Sequence, residues 1–303
     1  MNWETVGKRS AVSAAFGLLV TLVSAIADAN VYGVRYIWSD TVLKDHQFGS
    51  IIFGADDISL DCKGYQVHIS SFTHLNCTQF GTPLLKCGIV ATNKRNISIR
   101  NCNVVGGFAS GVHISGTDGA TLHNVTSNAS TGFWFGYNSN LSATELFANG
   151  SSGTGALILE DLYGSYDINT ENVGSFGISI QSSMGTYLDH VRAYQSGSHG
   201  LSVSDSTYVT ISGGLFHANR GHGILIERSS SVSSSYSFAL QNGRDTVQDK
   251  GWGIHLVGVS YSSFLNGTFQ SNAQPCDAFS DDGSFGNDWS GSTIGRRCFF
   301  VHH

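Results

Sequence analysis

Residues Gly200 to Ser229 read "GLSVSDSTYVTISGGLFHANRGHGILIERS". A glycine opens a short apolar alternation, a second alternation follows at Tyr208 to Ser212, a Gly/Asn-rich turn closes the unit, and Gly223 opens the next. The same Gly-apolar-x-apolar start occurs at Gly88, Gly111, Gly132, Gly155, Gly177, Gly200, Gly223 and Gly253, at intervals of 23, 21, 23, 22, 23, 23 and 30 residues. Short alternating strands repeating at this period make a solenoid whose rungs each bury one face against the next coil. Leucine-rich repeats share the period, but their regular leucines and helical segment are missing. With side chains alternating along each strand, residues one and three after the glycine point inward and residue two points out. An Asn or Gln near the end of each rung (Asn128, Asn149, Asn172, Gln195, Asn219, Asn242, Asn272) suits amides that bond one another and the bent backbone between coils. The expected fold is all-β, a single right-handed parallel β-helix of about ten coils, roughly 48 Å long at about 4.8 Å per coil.

Composition is compatible with that reading. The 303 residues include 37 Gly and 2 Pro, with 13% charged and 41% apolar residues and a net charge of −6. This is too apolar for disorder, and an acidic chain without a Lys/Arg run argues against nucleic acid as partner. Lys8 and Arg9 precede an apolar run, Ala11 to Ala27, that exits through Ala25, Ala27 and Ala29. That order is the pattern of a signal peptide over residues 1–29, so the expected location is secreted or periplasmic, with no membrane span in the mature chain. The domain then spans 30–303, with an N-terminal cap over about 30–50 and a disulfide-closed end over about 274–303.

Export makes six cysteines disulfide candidates. Cys276 with Cys298 would close the last coil, and Cys77 with Cys87 would span an insertion between the first clear rungs. Cys62 and Cys102 then remain, in "ISLDC" and "ISIRNC" at similar places of neighbouring coils. Without a C-x-x-C pair, zinc is disfavoured. No cofactor is required by any motif. Calcium is the one candidate ion, at Asp56, Asp57 and Asp61 or at Asp281 and Asp282.

The repeats resemble those of the pectate-lyase-like superfamily of parallel β-helices. Leu188 to Ser229 is similar in rhythm to mannuronan C5-epimerase repeats, in its "AY" and in the "HG" before an apolar strand. The resemblance implies a polysaccharide partner and, for an enzyme, lyase or epimerase chemistry on a uronate. The family motifs are incomplete. Leu157-Ile158-Leu159 and Gln181 stand where the epimerases carry Asp-Pro-His and a further Asp, and no carboxylate pair precedes Gly221-His222-Gly223 as in polygalacturonases, which need one for acid and base. The "LDHV" segment resembles that of pectate lyases, but their Arg-x-Pro-x-x-Arg is absent.

Rung stacking nominates a site of its own. His199 and His222 precede adjacent strands, followed in that column by Trp252; Tyr137, Glu160, Ser182, Asp205 and Arg228 share a column five residues into the rung. Asp205 beside Arg228 forms an ion pair, or an arginine that grips a sugar carboxylate. His199, His222, Asp205, Glu227 and Arg228 are the expected catalytic set, with the histidines moving the proton; turn-capping is their structural alternative. His113, Trp134 and Tyr137, as outward aromatics, with Glu160, Arg220 and Trp252, are the expected substrate contacts, with Trp134 covered by a loop in a satellite core as its structural alternative, and the excursion at Asn242 to Trp252 is placed to line the same face. The competing function is a non-catalytic carbohydrate-binding, adhesin or periplasmic accessory protein. Intact mass of exported protein should place the mature start near Asp28 or Asn30; retention of Met1 or Lys8 would remove the export argument.

Overall fold

The computed structural model describes residues 33–70, 77, 85–243, 251–273, 276–281 and 283–299. Residues 1–32, with the expected signal peptide, lie outside the described residues, as do 244–250 of the expected excursion, Asp282 and 300–303. Among the described residues there are strands and no helix, and no helix is long and apolar enough to cross a membrane.

All strand pairing within the ladders is parallel. One wall, sheet A, stacks Gly33–Ile37, Gln47–Phe53, Cys87–Thr92, Ser110–Ser115, Thr131–Gly136, Ala156–Leu159, Ile178–Gln181, Leu201–Ser204, Ile224–Glu227, Ile254–Val257, Ala278–Ser280 and Arg297–Phe299. Between successive rungs the chain crosses a second wall, sheet B, whose strands bend in the middle. Early ones are continuous (Ser98–Val105, Thr121–Ser127, Ser142–Asn149, Ser165–Glu171); later ones split into legs such as Tyr187–Asp189 and Arg192–Tyr194. Residues 33–37 pair with 49–53, so the expected cap already belongs to the ladder.

The glycine that opens each rung answers to coil spacing. A Cβ on Gly200 would sit 2.7 Å from the Gly223 carbonyl oxygen, and one on Gly177 would sit 2.5 Å from that of Gly200. Only glycine lets adjacent coils come within one strand spacing there. Residues one and three then point inward and are fully buried: Ile178 and Ile180, Leu201 and Val203, Ile224 and Ile226. Residue two lies outside this core, as expected, yet it too is buried from Val90 to Leu225, so the outer face of sheet A is not an open polar surface over those rungs.

Polar ladders hold the turns. Asn219, Asn242 and Asn272 stack inside: Asn219 N–H and Nδ2 donate to Asn242 Oδ1 at 3.1 and 2.9 Å, and Asn242 N–H and Nδ2 to Asn272 Oδ1, both at 3.0 Å. Asn172 and Gln195, expected in the same column, instead occupy the left-handed position one residue earlier, at φ 53° and 54°. Val173 and Ser196 stand at the ladder position on those coils, both buried. A second ladder runs through Thr117, Asn138, Asp161, Ser183, Ser206 and Ser229, each side chain from Asn138 onward accepting a backbone N–H of the preceding coil.

Asp161 is the charge in that ladder. It is fully buried and accepts from Asn138 and, at 2.5 Å, from the hydroxyl of Tyr166, the largest fully buried side chain. Burial pushes its carboxyl up to about 6, against the lowering effect of those donors.

Three disulfides join Cys62 with Cys102, Cys77 with Cys87 and Cys276 with Cys298, the partners expected from the sequence, at Cα separations of 4.8, 6.1 and 5.7 Å. The first and last tie adjacent coils near the two ends of the described ladder, where a rung lacks one stacking neighbour.

Two outcomes follow from the ladders. Asn242→Ala strands buried donors on Asn219 and an acceptor on Phe216, and should cost roughly 2–4 kcal/mol in chemical denaturation. Asp161 has a folded pKa above its unfolded value, so its stabilising contribution is full below about pH 4 and is lost as pH rises toward 6. Wild type should therefore gain about 2–3 kcal/mol relative to Asp161→Asn between pH 7 and pH 4; a difference independent of pH would show that the carboxyl is not held protonated.

Candidate functional site

His199 and His222 fill structural roles. They sit in a stack running Phe176, His199, His222, Trp252, Phe279, with ring centroids 5.5, 4.6, 4.9 and 4.6 Å apart. His199 Nδ1 accepts the His222 backbone N–H at 2.8 Å, and His222 Nδ1 accepts that of Trp252 at 3.1 Å. With Nδ1 accepting, the neutral ring carries its proton on Nε2, and His222 Nε2 faces His255 Nδ1 at 3.2 Å. Burial first, and His255 second, push His199 down to about 4. Gly221 leaves room for the ring beneath it, since a Cβ there would lie 2.5 Å from His199 Nδ1. The Gly-His-Gly triplet is thus a rung start that caps the neighbouring coil.

Arg228 closes on Asp205 through two hydrogen bonds of 2.7 and 2.8 Å, with both side chains about half exposed. This pair, Glu160 and the exposed Tyr137 occupy left-handed turn positions at the far end of each rung from the histidines. Six residues of extended chain separate His222 from Arg228, on the order of 20 Å. The expected catalytic set is therefore not brought together around one sugar ring. Glu227 ends its strand beside Ser204 and Val257. His113 and Trp134 are corrected from exposed to buried, each 3% exposed, with their rings stacked at 4.2 Å and the indole packed against Leu157 and Leu159. Stacking neighbours on adjacent coils, rather than solvent, take up the faces a sugar would use.

The titratable groups that converge lie on the outer face of sheet B. Asp167, on Ser165–Glu171, follows the Tyr166–Leu188 pair, so Asp189 comes just past that pair on the next coil, and on the other side Asp167 meets a bulge at Thr144 and Glu145. Neighbouring coils bend there through left-handed residues, Glu145 at φ 55° and His190 at φ 51°, whereas Ser165–Glu171 runs straight. Bulges of this kind re-aim side chains. Burial pushes the Asp167 carboxyl up, as do Asp189 and Glu145, while the Glu145 backbone N–H and His190 pull it down. Asp189 is held by His190 Nδ1 at 3.0 Å and the Tyr187 hydroxyl at 3.4 Å; Glu145 lies 3.8 Å from His123.

Of these groups, Glu145 and Asp167 line an open groove of about 610 Å³, together with Asn169, Arg192, Tyr194 and His217 among others. Tyr194 stacks on His217 at 5.4 Å, and Asn169 in the same lining has a buried Oδ1 without a hydrogen-bond partner among the described residues. A second groove of about 800 Å³ continues across the adjoining turn past Asn172 and Gln195 to Arg220, one of the expected contacts. The sequence signal for the first groove is the 22-residue interval from Gly155 to Gly177, between two of 23. The missing residue straightens the strand that carries Asp167.

Among the described residues, the expected calcium carboxylates have protein partners. Asp56 pairs with Arg95 at 3.0 Å, Asp57 accepts from Asn96, and Asp281 accepts from Gly258 and Ser284. Burial raises Asp61, but donors from Asn101 and Lys63 outweigh it and bring it to about 2. Cys77, Cys87 and His113 place three ligand-type atoms within 4.8 Å, but both sulfurs are spent in a disulfide.

Comparison with known proteins agrees with this architecture. No curated protein matches the sequence. Among solved structures, the A-module of the Azotobacter vinelandii mannuronan C-5 epimerase AlgE6 superposes with a TM-score of 0.63 at 12% identity, covering 89% of this chain and 77% of that one. The tailspike protein of Dettilon gives 0.61 at 14% identity over 86% of this chain and 59% of its own. The periplasmic alginate epimerase AlgG gives 0.59 at 12% identity, over 88% and 76%. At these identities the likeness is one of fold. Residues 87–272, more than half of the chain, match the family described as right handed beta helix region, and with the rungs, ladders and parallel register described above the chain belongs to that family.

Proposed function

We propose that this is an exported β-helix protein that binds a polysaccharide across the outer face of sheet B and hydrolyses it there by carboxylate acid–base chemistry. The observation that carries the reading is Asp167, raised by burial and set between Glu145 and Asp189 on adjacent coils. The fold shared with mannuronan and alginate epimerases supports a polysaccharide as partner, and three disulfides support a secreted or periplasmic location. Uronate elimination or epimerisation, implied by the resemblance, asks for cations over the sugar carboxylate. Here Glu145, Asp167 and Glu171 face Arg192 in one groove, a balance that suits a neutral ring better.

In this mechanism Asp167 donates its proton to the glycosidic oxygen as the C1–O bond breaks. Asp189, oriented by His190 and Tyr187, bonds to C1; water then displaces it and returns a proton to Asp167. Asp167 and Asp189 stand on adjacent coils, one backbone strand spacing of about 4.8 Å apart, and a retaining pair requires carboxyl groups about 5–5.5 Å apart. Arg192, Tyr194 and His217 hold the ring next to the broken bond.

Asp167→Asn should lower turnover by about 10²–10⁴-fold while leaving glycan binding in place. Because the acid form is required, activity should fall as pH rises through a pKa above the ordinary aspartate range. Reducing-end release from neutral polysaccharides, screened beside alginate and pectate, is the measurement. Full activity in Asp167→Asn would refute the assignment, and a glycan bound but never cleaved would leave the non-catalytic binding protein.

A further inference from the structure

One turn column carries tyrosines that neither the fold nor the hydrolytic site explains. Backbone bridges stack Leu162, Met184, Thr207, Ser230, Ser260 and Phe285 on successive coils. The residues that follow them are Tyr163, Gly185, Tyr208, Ser231, Tyr261 and Gly286, all at positive φ between 49° and 71°. Earlier coils fill this position with Asn96, Gly119 and Asn140, residues suited to the left-handed region. A bulky aromatic there costs backbone energy. Burial does not repay it, because Tyr163, Tyr208 and Tyr261 are 62%, 64% and 70% exposed.

Their arrangement is regular. The tyrosines recur on every second coil, about 9.6 Å apart, with a small residue between. The rings lie along the column: a Cβ on Gly185 would be 2.6 Å from Tyr163 Cδ1, and one on Gly286 would be 3.1 Å from Tyr261 Cδ1. Two coils is close to the length of two linked pyranose rings, and a phenol ring laid flat and exposed offers the face against which a sugar's C–H surface stacks. The intervening positions are uncharged, and Asp205 and Arg228 on the neighbouring turn neutralise each other. On the coil whose turn is Gly185, Tyr187 is exposed two residues further on and reaches Asp189. Tyr187 thus links the strip to Asp189, on the coil next to that of Asp167.

We infer that Tyr163, Tyr208 and Tyr261 form a binding track for a neutral polysaccharide running along the coil-stacking direction, with alternate rings of the glycan stacked on successive tyrosines. The inference rests on the proposed function for the choice of a glycan, and it adds the substrate class and the direction of the chain. Binding strength should then depend on chain length.

Titration calorimetry with cello-, manno- and xylo-oligosaccharides of two and six rings tests it. For at least one series, the six-ring chain should bind wild type more tightly than the two-ring one. Each Tyr→Ala change should weaken the six-ring complex by roughly three- to tenfold and leave the two-ring complex unchanged, with Tyr→Phe close to wild type. Circular dichroism reports that the variants stay folded. The track is refuted if no neutral oligosaccharide binds, if affinity is independent of length, or if the triple Tyr→Ala variant binds six rings like wild type. It is also refuted if those changes alter only sedimentation, which would make the strip a contact between copies of this chain. Tyrosine-dependent binding without cleavage would overturn hydrolysis and leave the track standing.

Discussion

Every coil of this protein must return its backbone to within one strand spacing of the coil before it, in register, so that each rung's N–H and C=O groups meet those of its neighbours. The rung-opening glycines exist because the next carbonyl oxygen comes too close for a Cβ. Turns pass through left-handed residues because the chain must change direction in one or two residues. Amide and hydroxyl ladders exist because backbone donors at those bends would otherwise be buried unpaired. The apolar core is what such a stack encloses.

Titratable groups converge where the repeat departs from itself. A coil one residue shorter than its neighbours straightens Ser165–Glu171 while the coils on either side bulge, and Asp167 is left between Glu145 and Asp189. Asp161 and Tyr166, buried in the same coil, replace a serine ladder position with a hydrogen-bonded charge, so this stretch departs from the repeat both inside and outside the core. Tyrosines at left-handed turns are a further departure, which the packing does not ask for.

The resemblance to epimerase repeats led to the fold, and the histidines it pointed to are taken up in stacking and capping contacts. His199 and His222 stand out as letters, but a histidine before a rung is also a good cap, since its Nδ1 reaches the backbone N–H of the next coil. Arg228 and Asp205 form the pair their columns imply and are consumed by each other. Trp134 is outward by alternation and still buried, because outward positions on sheet A stack on one another. Alternation fixes the side of a strand and not what lies over it.

The 23-residue period, the alternation within each rung and the glycine at its start were enough by themselves to determine a parallel β-solenoid, its inward columns and the pairing of its cysteines, because these follow from backbone spacing that repeats with the sequence. The meeting of Glu145, Asp167, Asp189, Arg192 and His217 was decided only by the tertiary structure. Those residues lie on successive coils of a wall that bends at a different residue in each, and a one-residue change in where a strand bends moves a side chain to another face.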